Sequence, residues 1–153
     1  MPEYTSVHFG SLEYSEDLTL EFPEGLPAFE EERRFLPVER AAAAPFIFLQ
    51  SLRRPELAFL TLPVSVLQPS YRLELPDEDR EKLSLPPAEA LEIGRDVVCL
   101  AIVTVLENRA TANLLAPIVI NPAARRAIQF VQADSGYPLE HPLPGWGGEA
   151  ACS

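Results

Sequence analysis

The chain has 153 residues, with 23 acidic side chains against 12 basic ones, a formal net charge of −11 and a pI near 4.6. That length suits one domain able to bury a core without disulfide or metal, and the charge has the wrong sign for binding nucleic-acid phosphates or an anionic membrane surface. Sixteen prolines, roughly twice the usual share of about 5%, exclude a long helical bundle, because proline is barred from helix interiors and central strands. The acidity suits either plain solubility or steering toward a basic partner.

The opening Met1-Pro2-Glu3-Tyr4 has neither the basic region nor the apolar region of a secretory signal. His8, between Val7 and Phe9, is expected in an edge strand. Leu18, Leu20 and Phe22 alternate with Thr19 and Glu21, the period of a half-buried strand. Gly25 lies in a tight turn between Phe22 and Phe29 that calls for a positive φ. Glu30 to Phe35 suits a helical turn or two. Phe46 to Leu49 and Leu57 to Leu60 are continuous apolar runs bounded by Pro45, Pro55 and Pro63, as in strands covered on both faces.

Tyr71, Leu73 and Leu75 alternate with Arg72 and Glu74, predicting a further strand. Pro76 to Leu83 predicts a helix, with acids in its first turn, Lys82 near its end and Asp77 as N-cap. Val97 to Leu106 is the strongest strand signal, and at ten residues it is too short to span a membrane. Cys99 within it reads as a small buried hydrophobe, and Cys152 as a tail residue, in keeping with a reducing cytoplasm. Ile118 to Asn121 and Ala127 to Val131 complete the strands, and His141 falls in a terminal turn. Asn113 and Asn121 stand beside prolines or strand ends, where their amides can satisfy turn backbone. The expected fold is mostly β, an antiparallel sandwich or small closed barrel with one or two short helices. It occupies residues 1–143 as a single domain, monomeric when free. Residues 144–153, with Trp146 between two glycines, have the composition of a disordered tail.

Little in the sequence points to catalysis. The two histidines are far apart, no Cys or His lies at zinc-ligand spacing, and glycine loops for phosphate are absent, so no metal or cofactor is expected. Three acidic clusters remain: Glu13, Glu16 and Asp17; Glu30, Glu31 and Glu32; and Asp77, Glu78, Asp79 and Glu81. Such clusters commonly form solvated faces or helix N-termini. Their mutual repulsion would also be relieved by a cationic partner, which makes Glu30, Glu31, Glu32, Asp77, Glu78 and Asp79 the candidate binding residues.

Several phrases together resemble the FliW family of flagellar assembly factors. They are Phe22-Pro23-Glu24-Gly25-Leu26-Pro27-Ala28-Phe29-Glu30; Pro45-Phe46 with Leu49-Gln50-Ser51; Leu57-Ala58-Phe59; and Ala112 to Asn121, which contains Asn113 and Pro117. Gln129, Tyr137 and His141-Pro142-Leu143 follow in the same order. The resemblance covers roughly residues 5–143. Ala28 departs from it, standing where the family usually has glycine. What the resemblance implies is a β-barrel-like, non-enzymatic cytoplasmic regulator that binds flagellin and the RNA-binding translational regulator CsrA. A small-ligand or hydrolytic barrel is the alternative, and a deep pocket with two convergent carboxylates would favour it.

Overall fold

A computed structural model describes residues 2–87 and 90–143. The expected tail, 144–153, lies outside the described residues, as do Trp146 and Cys152.

The strands are short, as the prolines require. β1 (Glu3–Ser6) and β2 (Gly10–Glu13) form a separate hairpin. β3 (Leu20–Glu21), β4 (Arg34–Glu39), β5 (Ile47–Ser51) and β6 (Ala58–Pro63) follow as antiparallel neighbours. Pro63 ends β6 and caps α1 (Val64–Leu67), a single turn. α2 (Asp77–Lys82) comes next, then β7 (Val98–Val105), β8 (Ala110–Ala112), β9 (Ile118–Asn121), β10 (Arg126–Gln129) and β11 (His141–Pro142).

The sheet order is β11-β8-β7-β6-β5-β4-β3-β10-β9, and β9 also pairs with β7, so seven strands close into a barrel. The long strand β7 makes this possible by forking. Val98–Leu100 pair with β9, Leu100–Ile102 with β6, and Val103–Val105 with β8, which carries β11 outside the ring. One seam corrects the antiparallel expectation: β3 and β10 run parallel, joined through Arg126 opposite Glu21. Arg125 clamps that seam. Its carbonyl accepts the Glu21 N–H at 2.9 Å, and its guanidinium donates to the carbonyls of Leu18 and Thr19. The residue holds φ +56 to do so, a conformation that costs a non-glycine residue about 1–2 kcal/mol.

Alternation sorts side chains between the barrel interior and its covers. Leu20, Phe35, Leu49, Leu100, Ile118, Ile120 and Ala127 fill the interior. The opposite faces of β6, β7 and β9, carrying Leu62, Cys99, Ala101, Val103 and Val119, pack under the helical side with Val64, Leu75 and Leu83. Outward Leu36 and Val38 are covered by Leu12 and Tyr14 of the hairpin. Packing of apolar side chains on both faces is why 46–49, 57–60 and 97–103 read as apolar runs, whereas Thr104, Val105 and Leu106 at the end of the third run are exposed.

Several local expectations are corrected. The alternating segment 71–75 is not a strand, although Tyr71 and Leu75 are buried. Side chains replace the ladder: the Arg72 N–H donates to the Tyr137 hydroxyl at 2.8 Å and the Glu74 N–H to Gln132 Oε1 at 2.9 Å. Glu30 to Phe35 is a turn entering β4 rather than a helix, because Phe35 and Leu36 are required on opposite faces of that strand. Leu18 belongs to a 3₁₀ turn (Glu16–Leu18) that Ser15 caps, leaving only Leu20–Glu21 in β3. His8 sits in the turn of the β1–β2 hairpin, and His141 in β11, opposite Ala112. In α2 the N-cap is Pro76, so Asp77 is the first helical residue.

Candidate protein-binding surface

The loop between β3 and β4 closes one end of the barrel. Phe22 and Phe35 meet edge-on at 5.1 Å, Phe29 meets Phe59 at 5.6 Å, and Leu26 is buried beside them. Leu26 and Phe29 exchange backbone hydrogen bonds of 3.2 and 2.7 Å around Pro27-Ala28. Proline followed by a positive φ is the pattern of a type II turn, and Ala28 holds φ +70. Gly25, at φ +67, brings its Cα against the backbone of Glu30; a Cβ there would stand 2.5 Å from the Glu30 carbonyl oxygen.

That packing decides where the first candidate cluster points. Glu30 is exposed and its Oε2 accepts the Ala28 N–H at 2.8 Å. Glu31 is exposed, 3.4 Å from the Arg53 guanidinium. Glu32 is buried: it accepts from the Ser51 hydroxyl at 2.9 Å and pairs with Arg53 at 2.6 Å. Only two of these three carboxylates reach the surface, and Arg53 offsets part of their charge.

The second cluster forms a more continuous acidic face. Asp77 and Glu78 are exposed in the first turn of α2, where the helix dipole favours them, and Glu81 is exposed one turn on. Lys82 lies 3.2 Å from Glu24 and 3.8 Å from Asp79, so it joins α2 to the barrel-closing loop. The hydrogen bond to Glu24, with Asp79 and Glu78 nearby, raises the Lys82 pKa above its ordinary value. Glu24, which belonged to no sequence cluster, thus enters this face through the fold. Nothing local in the sequence placed residue 24 beside residue 82.

The candidate asparagines anchor turns. Asn113 Oδ1 accepts the Ala116 N–H at 2.9 Å, just before Pro117, whose carbonyl accepts the Phe130 N–H at 3.0 Å. Asn121 Nδ2 donates to the Leu83 carbonyl at 2.8 Å, tying the end of α2 to β9, while its Oδ1 accepts the Ala123 and Ala124 N–H groups. Nearby, Tyr71 donates to the Leu114 carbonyl at 2.6 Å, accepts from Gln132 at 2.9 Å and stacks on Tyr137 at 4.2 Å. Burial pushes the Tyr71 phenol and the Cys99 thiol each up to about 12.

Among the described residues no three His, Cys, Asp or Glu side chains are grouped to hold a metal ion. His8 is exposed at its hairpin turn with Nε2 2.8 Å from the Glu56 carbonyl oxygen, and His141 lies on another strand pair. A groove of about 810 Å³ runs between 71–76 and 90–93 and mixes Glu74 and Glu92 with Arg72 and Arg80. No described helix is long and apolar enough to cross a membrane.

The family model described as FliW protein matches residues 3–143. The flagellar assembly factor FliW of Syntrophomonas wolfei is 34% identical over 140 residues, covering 90% of this chain and 86% of the relative. That of Bacillus licheniformis is 36% identical over 148 residues, covering 95% and 96%. A crystal structure of the flagellar assembly factor FliW superimposes with a TM-score of 0.80 at 31% identity, over 94% of this chain and 98% of the other.

Proposed function

Because the chain belongs to the FliW family of flagellar assembly factors, we propose that it is a non-enzymatic cytoplasmic regulator that binds flagellin and antagonises CsrA. In this reading flagellin and CsrA draw on the same pool of the protein. Export of flagellin frees it to bind CsrA, which relieves repression of flagellin synthesis. The observation that carries the reading is family membership across residues 3–143.

The charge supports it physically. A protein that binds RNA must present cations to phosphate, so an acidic protein is complementary to it. The face formed by Asp77, Glu78, Glu81 and Glu24 would meet such cations. Once docked, a net charge of −11 also repels RNA without occupying its site.

The test uses purified components: this protein, CsrA and flagellin from one flagellated host, mixed pairwise and analysed by light scattering and calorimetry. Saturable complexes with both partners are expected. Failure to bind either one would refute the reading.

A further inference from the structure

The segment 71–75 has the alternation of a strand but no strand beside it. Tyr71 and Leu75 are buried and Leu73 is half-buried, while Arg72 and Glu74 are exposed. In such a chain the backbone groups of successive residues point to opposite edges. One edge is satisfied by side chains. Arg72 donates its N–H to Tyr137 and accepts from Gln132 at 3.2 Å, and Glu74 donates its N–H to Gln132. The other edge belongs to Leu73, whose N–H and C=O have no hydrogen-bond partner among the described residues. Gln132 and Tyr137 line a groove on the satisfied edge, so Leu73 opens onto the groove of about 810 Å³ on the other. Its far wall, 90–93, presents half-buried Leu91 and Ile93.

The charges lining this groove sort by their partners. Glu92 lies 3.9 Å from Arg95, and the Arg80 guanidinium donates to the carbonyls of Leu75 and Pro86. Arg72 and Glu74 have no ion-pair partner among the described residues. They flank the open backbone of Leu73 on the exposed face, one of each sign.

We infer that the Leu73 edge takes up an extended segment of a partner protein as an added antiparallel strand. An open edge is recognised by main-chain hydrogen bonds, and the alternate side chains set specificity. In the antiparallel register the residue opposite Leu73 exchanges both hydrogen bonds with it. The residues opposite Arg72 and Glu74 form the closer, non-hydrogen-bonded pairs, where opposite charges stabilise and like charges destabilise. The fitting segment therefore reads, from its N-terminus, apolar, basic, apolar, acidic, apolar. Its basic residue meets Glu74 and its acidic residue meets Arg72, while its apolar residues turn inward beside Leu73 and Leu91. A folded second copy is the wrong occupant, although its own Tyr71-Arg72-Leu73-Glu74-Leu75 has the same order of charges. In that copy too the edge is walled by 90–93, and two bodies of charge −11 repel one another. The inference does not rest on flagellin or CsrA.

The test is NMR on the full chain, titrated with two capped peptides of one composition, Val-Lys-Val-Glu-Val and Val-Glu-Val-Lys-Val. The first should give saturable shifts at the Leu73 amide and the Leu91 and Ile93 methyls, with Leu73 amide exchange slowed about tenfold at saturation. The second should bind several-fold more weakly, the difference shrinking as salt rises. N-methylation of the central valine removes the donor to the Leu73 carbonyl and should weaken the first peptide about fivefold or more. Arg72→Glu combined with Glu74→Arg, both at exposed positions, should reverse the preference between the peptides. The inference is overturned by shifts confined to other parts of the molecule, by no saturable shift, by equal binding of the two peptides, or by indifference to N-methylation. It is also overturned if Leu73 becomes protected with protein concentration alone, which would identify a second copy as the occupant.

Discussion

Two substitutions three residues apart should move stability in opposite directions. Gly25→Ala asks an L side chain to hold φ +67, which costs about 1–2 kcal/mol. The new Cβ would also stand 2.5–2.6 Å from the Cα, carbonyl carbon and oxygen of Glu30. All three are backbone atoms, so the turn itself must move, for a further cost of about 1–3 kcal/mol. The sum, about 2–5 kcal/mol, is a large part of a typical stability of about 5–15 kcal/mol. Ala28→Gly removes a strain of about 1–2 kcal/mol at φ +70, while added freedom of the unfolded chain returns about 0.4–1 kcal/mol. A net gain of about 0.5–1 kcal/mol is expected. Urea unfolding followed by circular dichroism reads both, and an unchanged m-value would place the effect in stability rather than in compactness. At about 2–4 °C per kcal/mol, Gly25→Ala should lower Tm by about 4 °C or more, and Ala28→Gly should raise it by a few degrees. The account of this turn is refuted if Gly25→Ala stays within about 0.5 kcal/mol of wild type, or if Ala28→Gly destabilises.

Asn121→Ala removes three hydrogen bonds and leaves the buried Leu83 carbonyl without its donor. A loss of about 1–3 kcal/mol is expected, with faster amide exchange in α2 than in β5. Alkaline titration should weaken the fold: Cys99 and Tyr71, with ordinary values of 9.0 and 10.0, are held to about 12 by burial. The folded chain then keeps protons that the unfolded chain releases, so this contribution is intact below about pH 9 and falls as pH rises toward 12, measurable as a declining urea midpoint. For the same reason Cys99 should resist a thiol reagent at pH 8 until the protein unfolds. Asp77→Lys combined with Glu78→Lys, both exposed in the first turn of α2, should cost about 1–2 kcal/mol through the helix dipole and weaken CsrA binding several-fold at low salt, and calorimetry on the folded variant decides it.

What the sequence made legible followed from local pattern. The apolar runs 46–49, 57–60 and 97–103 overlap β5, β6 and β7 because packing on both faces removes the polar alternate residues. The acids and Lys82 around α2 match its dipole. What stayed hidden depends on partners distant in sequence. The alternation at 71–75 is real, but Tyr137 and Gln132, some sixty residues away, supply the bonds a neighbouring strand would have made. The parallel β3–β10 seam rests on Arg125 reaching carbonyls more than a hundred residues distant, and arginine gives no local sign of a positive φ. The run Glu30 to Glu32 looks uniform in sequence, yet strand entry turns Glu32 inward to Ser51 and Arg53. The same fold brings Glu24 onto the α2 face through Lys82. Ala28 gives no local sign of its φ of +70, a conformation that glycine would hold without strain.

The central claim is that flagellin and CsrA compete for this protein, and one titration tests it most directly. CsrA, held with enough of this protein to suppress binding of a labelled RNA, is titrated with flagellin while RNA anisotropy is followed. If the account holds, flagellin restores RNA binding with a midpoint near the concentration of this protein, and flagellin alone leaves the CsrA–RNA complex unchanged. If RNA binding stays suppressed when flagellin is in large excess, the two partners do not compete and the account is wrong.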